Sequence, residues 1–307
     1  MTPASVIVVT FNSAETIRQC LESLPASVEV IVVDQCSTDD SVSVIKASFP
    51  NVNVIAAGQN RGFGAGCNLG AANATREILV FLNPDTVVSS GSIEQLADDA
   101  LGEPVLVGPR IRGSDGTDET RARFPSNLAS DLGEIFLPVA VTDRVFRRDI
   151  PRTSDVYRLG GEVGYVQGAY MVLHRKHFEK IGGFDERLFL YHEEESLARR
   201  LRSMCGVSTI LDPRAEIVHV GAKSTSQVHL FAVGQYYRSL VVEYGARMSR
   251  WAAVCCGLVI VMALCCMRVL TPVRMAIGMR ADRGSDWYRA AVRGAASGLV
   301  GSPVSAP

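Results

Sequence analysis

The stretch Ile78-Leu-Val-Phe-Leu-Asn-Pro-Asp-Thr86 decides how this chain is read. An apolar run enters Asn83-Pro84-Asp85 directly, so a buried strand ends on a carboxylate at its carboxyl edge. In open α/β sheets that is the edge where ligands bind. Pro84 has no N–H to give a ladder, so it ends the strand and fixes where Asp85 points. A carboxylate held there suits a divalent cation bound against a diphosphate. An ordinary turn Asp that caps the next helix is the plainer alternative.

Upstream, strand and helix signals alternate. Val6–Val9, Val28–Val33 and Val52–Ala56 are short β-branched runs, separated by helical spacing over Ser13–Leu24 and Ser37–Ala47, and Gly64–Ala74 leads on to Ile78–Leu82. This order predicts an α/β fold with a mainly parallel central sheet flanked by helices and right-handed crossovers. Residues Gly113 to Gly161 show poor periodicity and read as an irregular binding loop. Val163–Leu173 returns to strand-like alternation, Leu188–Met204 reads as a helix, and Ser208–Leu211 and Glu216–His219 read as two short strands. Trp251–Met267 is apolar and uncharged between Arg250 and Arg268, which favours a helix that spans or lies on a membrane over a core helix. From Gly294 the Gly, Ser, Ala and Pro content predicts a frayed tail. The expected domains are therefore 1–235, catalytic; 236–293, a basic and apolar helical membrane-associated region; and 294–307, a disordered tail.

The 307 residues and 47% hydrophobic content allow one large domain plus an appendage. A formal net charge of −1 argues against a nucleic-acid binder acting by bulk electrostatics. The eight cysteines form no C-x-x-C pair and read as reduced thiols in a cytosolic setting. Ser5–Thr10 reads as a first strand, not a signal peptide.

Further polar residues fall at predicted strand ends. Thr10 and Asn12 close the first strand and Asp34 the second; Asp34 could accept the N3–H of uracil or thymine, hold a ribose hydroxyl, or merely form a turn. Asn60-Arg-Gly-Phe-Gly-Ala-Gly-Cys-Asn-Leu-Gly70 fails the dinucleotide fingerprint, because Cys67 stands where a glycine is needed. Its glycines allow close backbone approach to a ligand or another helix, and Arg61 could meet a phosphate. Glu193-Glu-Glu195 opens a helix, which suits the dipole and equally supplies a general base. His219 follows a short strand and is either structural or a ligand beside a carboxylate-bound cation. Lys223 and Ser224 would suit the same leaving group, and Arg121, Arg123, Arg147 and Arg148 could meet phosphates of an acceptor or simply form a solvated basic loop.

Together the segments resemble an inverting glycosyltransferase of family 2 with the GT-A (nucleotide-diphospho-sugar transferase) fold. The resemblance rests on Val8-Val-Thr-Phe-Asn12, Val32-Val-Asp-Gln-Cys-Ser-Thr-Asp-Asp-Ser41, Asn60-Arg-Gly-Phe-Gly64, Phe81-Leu-Asn-Pro-Asp-Thr86, Gly182-Gly-Phe-Asp185, Tyr191-His-Glu-Glu194 and His219-Val-Gly221, in that order over residues 4–225. The nearest subgroup is the bacterial rhamnosyltransferase-type enzymes of cell-wall and surface glycan synthesis. The resemblance implies that Asp34 contacts the base and that Thr10, Asn12 and Arg61 help hold the donor. It places Asn83 and Asp85 at the two acidic positions of the family's D-x-D motif, with Asp85 and His219 on a Mg²⁺ or Mn²⁺ ion. Glu194 becomes the catalytic base, with Glu193 its neighbour in the family's acidic pair. It further implies a dTDP- or UDP-sugar donor (L-rhamnose being one such sugar), a lipid-linked or polysaccharide acceptor, and work at the cytoplasmic face of a bacterial membrane. Three departures stand out: Gln35 for Asn, which could loosen the turn after Asp34, Glu194 for Asp, and Ser196 for an acidic residue. They keep open a membrane-associated nucleotide-sugar-binding protein whose transferase domain is inactive. A nucleotidyltransferase would want a basic, glycine-rich loop after the first strand, which Thr10-Phe-Asn-Ser-Ala-Glu15 lacks.

Overall fold

A strand buried on both faces keeps its charges at its ends, and the central N-terminal strands obey this. In the computed structural model, which describes residues 4–137, 139–146, 149–220, 229–276 and 283–301, β1 (Ala4–Thr10), β2 (Glu29–Asp34), β3 (Asn53–Ala56) and β4 (Ile78–Leu82) pair in parallel in the order β3-β2-β1-β4. Alternate residues point to opposite faces. Ile7, Val9, Ile31, Val33, Leu79 and Phe81 enter one apolar layer. Val6, Val8, Val32, Val80 and Leu82 enter the other. The helices α1 (Ile17–Glu22), α2 (Ser41–Ser48) and α3 (Phe63–Asn73) are the crossovers.

Beyond β4 the sheet becomes mixed. Following β5 (Thr86–Val88), α4 (Ser92–Gly102) and β6 (Val105–Gly113), three short helices occur in the stretch read as irregular: α5 (Leu128–Phe136), α6 (Val139–Phe146) and α7 (Asp155–Leu159). After β7 (Gly161–Glu162), β8 (Tyr170–His174) runs antiparallel to both β4 and β6. After α8 (Arg175–Lys180) and α9 (Glu193–Cys205), β9 (Ser208–His219) pairs parallel with β6 and antiparallel with β5 and β7. The two strands expected over 208–219 are one strand: its register jumps from Pro109↔Asp212 to Arg110↔Glu216, and Pro213-Arg214-Ala215 bulges out where Pro213 has no N–H to give. The helix expected over 188–204 begins only at Glu193, because Tyr191 and His192 hold left-handed φ values of 71° and 66°.

The chain divides into two compact units. The first comprises 1–124, 149–186 and 193–224 and contains the whole sheet; the second comprises 125–148, 187–192 and 225–307. Segments 125–148 and 187–192 thus group with the C-terminal helices α10 (His229–Arg247), α11 (Arg250–Ala276) and α12 (Ser285–Val300). Within this second unit Ile135, Tyr237, Leu240, Ile260, Leu264 and Ala295 share an apolar cluster. The Tyr244 hydroxyl donates to buried Asp131 at 2.5 Å. Gly294 and Gly298, read as part of a tail, lie inside α12. A Cβ on Gly294 would stand 1.9 Å from the Gly234 carbonyl oxygen, and one on Gly298 2.8 Å from that of Arg238. These glycines are spaced i, i+4 and let two helix backbones touch, so here they mark packing rather than fraying.

The glycines of α3 serve the same end. A Cβ on Gly70 would lie 2.4 Å from Ile7 Cγ2, and one on Gly66 2.7 Å from Val9 Cγ1. At Gly66 and Gly70 the close approach, expected toward a ligand or another helix, is to β1, and at Gly64 it is to Phe184. Gly70→Ala is expected to lower stability by about 1–3 kcal/mol through overpacking, read by denaturant unfolding; a change within about 0.5 kcal/mol would contradict this packing.

Candidate active site

Parallel register sets Thr10 beside Asp34 at the carboxyl ends of β1 and β2. The Ser37 N–H donates to both Asp34 carboxylate oxygens, at 3.2 and 3.3 Å, so Asp34 does form the turn. Each oxygen retains a lone pair for a further donor. Asn12, at φ 52°, ties the two strand ends together: its N–H donates to Ser37 Oγ (2.9 Å) and its Oδ1 accepts from the Thr38 N–H (2.8 Å). Gln35, expected to loosen this turn, directs its side chain to the loop before α3. Its buried amide donates to the Gly62 carbonyl (2.7 Å) and accepts from the Arg61 N–H (3.0 Å), joining the end of β2 to the loop that opens α3. The Arg61 guanidinium is paired with Glu186, whose other carboxylate oxygen takes the Asn68 amide at 3.0 Å. The site expected to meet a phosphate thus already carries a counter-charge.

On the other side of β1, β4 ends in the turn that the sequence pointed to. The Asn83 N–H donates to the Ala169 carbonyl (3.0 Å), and its own carbonyl takes the Thr86 hydroxyl (2.6 Å). Asp85 is 8% exposed. Antiparallel pairing of Thr86 with His219, and the Val220 N–H donating to the Asp85 carbonyl at 2.8 Å, bring the imidazole alongside the carboxylate. His219 Nε2 lies 3.4 Å from Asp85 Oδ2, and Nδ1 lies 3.4 Å from Glu119 Oε2. Hydrogen bonding to Asp85 holds the His219 pKa above the ordinary imidazole value; burial opposes this, and the charges of Asp85 and Glu119 add to it. Sequence reasoning missed Glu119, which sits in a charged Gly/Asp-rich loop with no periodic signal to mark it.

Asp85 Oδ1 is buried with no hydrogen-bond partner among the described residues. A buried carboxylate oxygen left open suits Mg²⁺ or Mn²⁺ completed by phosphate oxygens, and the imidazole would join as a second donor only by giving up the proton it directs at Asp85. Among the described residues no group of three or more His, Cys, Asp or Glu converges on one point, so the protein side of such a site would be sparse.

The acidic run at the start of α9 differentiates strongly. Glu193 is 3% exposed, and burial followed by the adjacent Glu194 charge pushes its pKa well above the carboxylate range. Glu194 is half-buried, while Glu195 is buried. A Cβ on Gly64, in the first turn of α3, would lie 3.8 Å from Glu193 Cγ. A Cβ on Gly168 would lie 4.0 Å from the Glu194 carboxyl carbon and 3.8 Å from the Phe63 ring. Gly168 immediately precedes Ala169, the partner of Asn83, so the Glu194 carboxyl stands by the same sheet edge as the Asn83–Asp85 turn. Gly168 carries no motif, and its importance appears only from the β4–β8 pairing.

Of the basic residues expected to meet phosphates, Arg123 is paired with Asp149 at 2.5 Å, and the Arg121 main chain donates to Gln167 (2.7 Å). Arg147, Arg148, Gly221, Lys223 and Ser224 lie outside the described residues.

Comparison with known proteins shows the family. Residues 5–182 match the profile of glycosyl transferase family 2. Over 267 residues the chain is 28% identical to the N-acetylglucosaminyl-diphospho-decaprenol L-rhamnosyltransferase of Mycobacterium tuberculosis, covering 80% of this chain and 85% of that protein. It is 28% identical over 232 residues to the succinoglycan biosynthesis protein ExoO of Rhizobium meliloti, covering 72% and 62%. The solved mannosyltransferase PcManGT from Pyrobaculum calidifontis, in complex with GDP-Man and Mn²⁺, is similar at a TM-score of 0.52 and 18% identity, covering 97% of this chain and 85% of that one. The architecture is accordingly the GT-A fold expected above. With more than half of the chain inside the matched profile, this protein is a glycosyltransferase that belongs to family 2.

Proposed function

We propose that the protein transfers a sugar, with inversion, from a dTDP- or UDP-sugar to a lipid-linked acceptor at the cytoplasmic face of a bacterial membrane. The observation that carries this reading is the placement of a half-buried Glu194 carboxyl at the same sheet edge as the buried Asp85 turn. In one displacement, Glu194 takes the proton of the acceptor hydroxyl while that oxygen bonds to the anomeric carbon. The bond from that carbon to the diphosphate oxygen breaks on the opposite face, and its electron pair leaves with the nucleoside diphosphate. No enzyme nucleophile is needed. Burial and the neighbouring Glu194 charge raise the Glu193 pKa, which disfavours a second negative charge beside the base. Asp85 and His219 would hold a divalent cation, which when bound offsets the charge of the departing diphosphate. Asp34 and the Asn12–Ser37–Thr38 loop would seat the base and ribose.

The mycobacterial relative supports L-rhamnose as the sugar and a polyprenyl-diphosphate N-acetylglucosamine as the acceptor. The second unit supports a membrane location. Arg250–Pro272 is long and apolar enough to cross a bilayer, and one-third of it is buried within the structure. The helix continues past Arg268, where the apolar run was expected to stop short, so its length meets the spanning requirement. Trp251, Leu258, Met262 and Val269 lie exposed along it at spacings that share a face.

Purified protein given dTDP-L-rhamnose, polyprenyl-diphosphoryl N-acetylglucosamine and Mg²⁺ is expected to form a disaccharide lipid. Donor binding without transfer to this or related lipid acceptors would favour the inactive binding protein instead. Glu194→Gln is expected to lower kcat by about 100-fold or more while donor affinity stays within about twofold; near-normal turnover would exclude Glu194 as the base. Replacing Leu258, Met262 and Val269 together by Asn is expected to weaken co-sedimentation with anionic lipid vesicles by about tenfold or more. Undiminished sedimentation would place membrane contact elsewhere.

A further inference from the structure

Glu119 reaches the Asp85–His219 pair from a loop without periodic signal, and every residue of this contact lies in the first unit. Beyond Gly113 the chain turns back along the end of β6. The Gly113 N–H donates to the Thr117 carbonyl (2.8 Å), and the Glu119 N–H donates to the Ile111 carbonyl (2.9 Å). The buried Thr120 hydroxyl accepts from the Ile111 N–H at 2.8 Å and donates to the Ile111 carbonyl at 3.2 Å. Asp118 bridges to Arg112 through the main chain and pairs with Arg152 at 3.3 Å. The β6–β9 register sets Gly113 beside His219. A Cβ on Gly113 would stand 2.8 Å from Glu119 Oε1, so glycine there leaves the carboxylate its space. The other oxygen, Oε2, lies 3.4 Å from His219 Nδ1. The Glu119 side chain is 45% exposed, so the pinned loop, rather than burial, sets its place.

His219 thus stands between two carboxylates, with Nε2 facing Asp85 Oδ2 and Nδ1 facing Glu119 Oε2, each at 3.4 Å. A neutral imidazole carries one N–H, and an ionised carboxylate only accepts. With that proton on Nε2, the ring has no lone pair to offer beside Asp85. With it on Nδ1, the Nε2 lone pair faces the side where Asp85 Oδ1 is buried and open. We infer that Glu119 is a positioning residue for His219: its carboxylate takes the Nδ1–H, fixes the ring, and leaves the Nε2 lone pair for a divalent cation at Asp85. A carboxylate behind a ligating histidine changes metal affinity by about 10- to 100-fold. This role rests on the reading of Asp85 and His219 as the pair that holds the cation.

The test titrates Mn²⁺ into the full-length protein mixed with a stoichiometric amount of dTDP or UDP, following free Mn²⁺ by electron paramagnetic resonance. Electron spin-echo spectra then report imidazole nitrogen coupled to the bound ion, and thermal unfolding reports the fold. The variants are Glu119→Ala, Glu119→Gln, Glu119→Asp, His219→Ala and Glu119→Ala with His219→Ala. Glu119→Ala is expected to raise the Mn²⁺ Kd by about tenfold or more and to weaken the nitrogen coupling. Glu119→Gln, whose amide oxygen still accepts the Nδ1–H, is expected to stay within about threefold of wild type. Once His219 is Ala, Glu119→Ala is expected to change the Kd by no more than about twofold, because Glu119 acts through the ring. An unchanged Kd in Glu119→Ala would overturn the inference. So would an equal rise in Glu119→Gln, or an undiminished effect in the His219→Ala background, which would make Glu119 a ligand itself. If Glu119→Ala does not unfold cooperatively, Glu119→Asp decides, since it keeps the charge and withdraws the carboxylate by one methylene: a raised Kd supports the inference and an unchanged one overturns it. If His219→Ala raises the Kd and Glu119→Ala does not, the cation site stands and only the positioning role falls. If His219→Ala leaves the Kd unchanged, or the wild type binds no Mn²⁺ with either nucleotide, the reading of the pair fails and the role of Glu119 falls with it.

Discussion

Burial of β1, β2 and β4 on both faces is the constraint on which the rest of this molecule depends. Ile78 to Leu82 are all fully buried, as are Val6 to Val8 and Ile31 to Val33. A charge on any of them would face desolvation without a partner. The chemistry is therefore pushed to the carboxyl edge, and parallel register brings the edge residues of neighbouring strands to one level. Asp34 and Asp85 sit where the apolar runs stop. The later strands then add to this edge: antiparallel β8 begins there, bringing Gly168, and antiparallel β5–β9 pairing brings His219.

Each ionisable group at the edge is differentiated by its immediate setting. Glu193 and Glu194 are adjacent in sequence, yet Glu193 is buried near α3, where burial raises its pKa, while Glu194 is half-buried. Asp85 shows a related asymmetry, with one oxygen facing His219 and the other buried and open. Gln35 joins the end of β2 to the loop before α3 through two hydrogen bonds.

The parallel half of the sheet was legible in the sequence because its strands leave short β-branched runs between segments of helical spacing. Asp34 and Asp85 were legible because they end such runs. His219 was visible only as a lone histidine, and its proximity to Asp85 needed the β5–β9 register. Glu119, Gly168 and the buried role of Gln35 were not legible, since each depends on contact with residues distant in the chain. The helices α5 and α6 were read as loop because helices of nine and eight residues leave too little periodicity to stand out. Gly294 and Gly298 misled for a related reason: glycine marks a frayed end or a close helix contact, and composition alone does not distinguish them.

The central claim is that the Asp85 turn holds a cation against a nucleoside diphosphate. Calorimetric titration of dTDP, UDP and GDP, with and without Mn²⁺, into the wild type and Asp85→Ala tests it most directly. The account predicts binding of dTDP or UDP that strengthens at least about tenfold with the cation and loses that gain in the variant. Binding that is indifferent to the cation, or equally cation-dependent in folded Asp85→Ala, would contradict it.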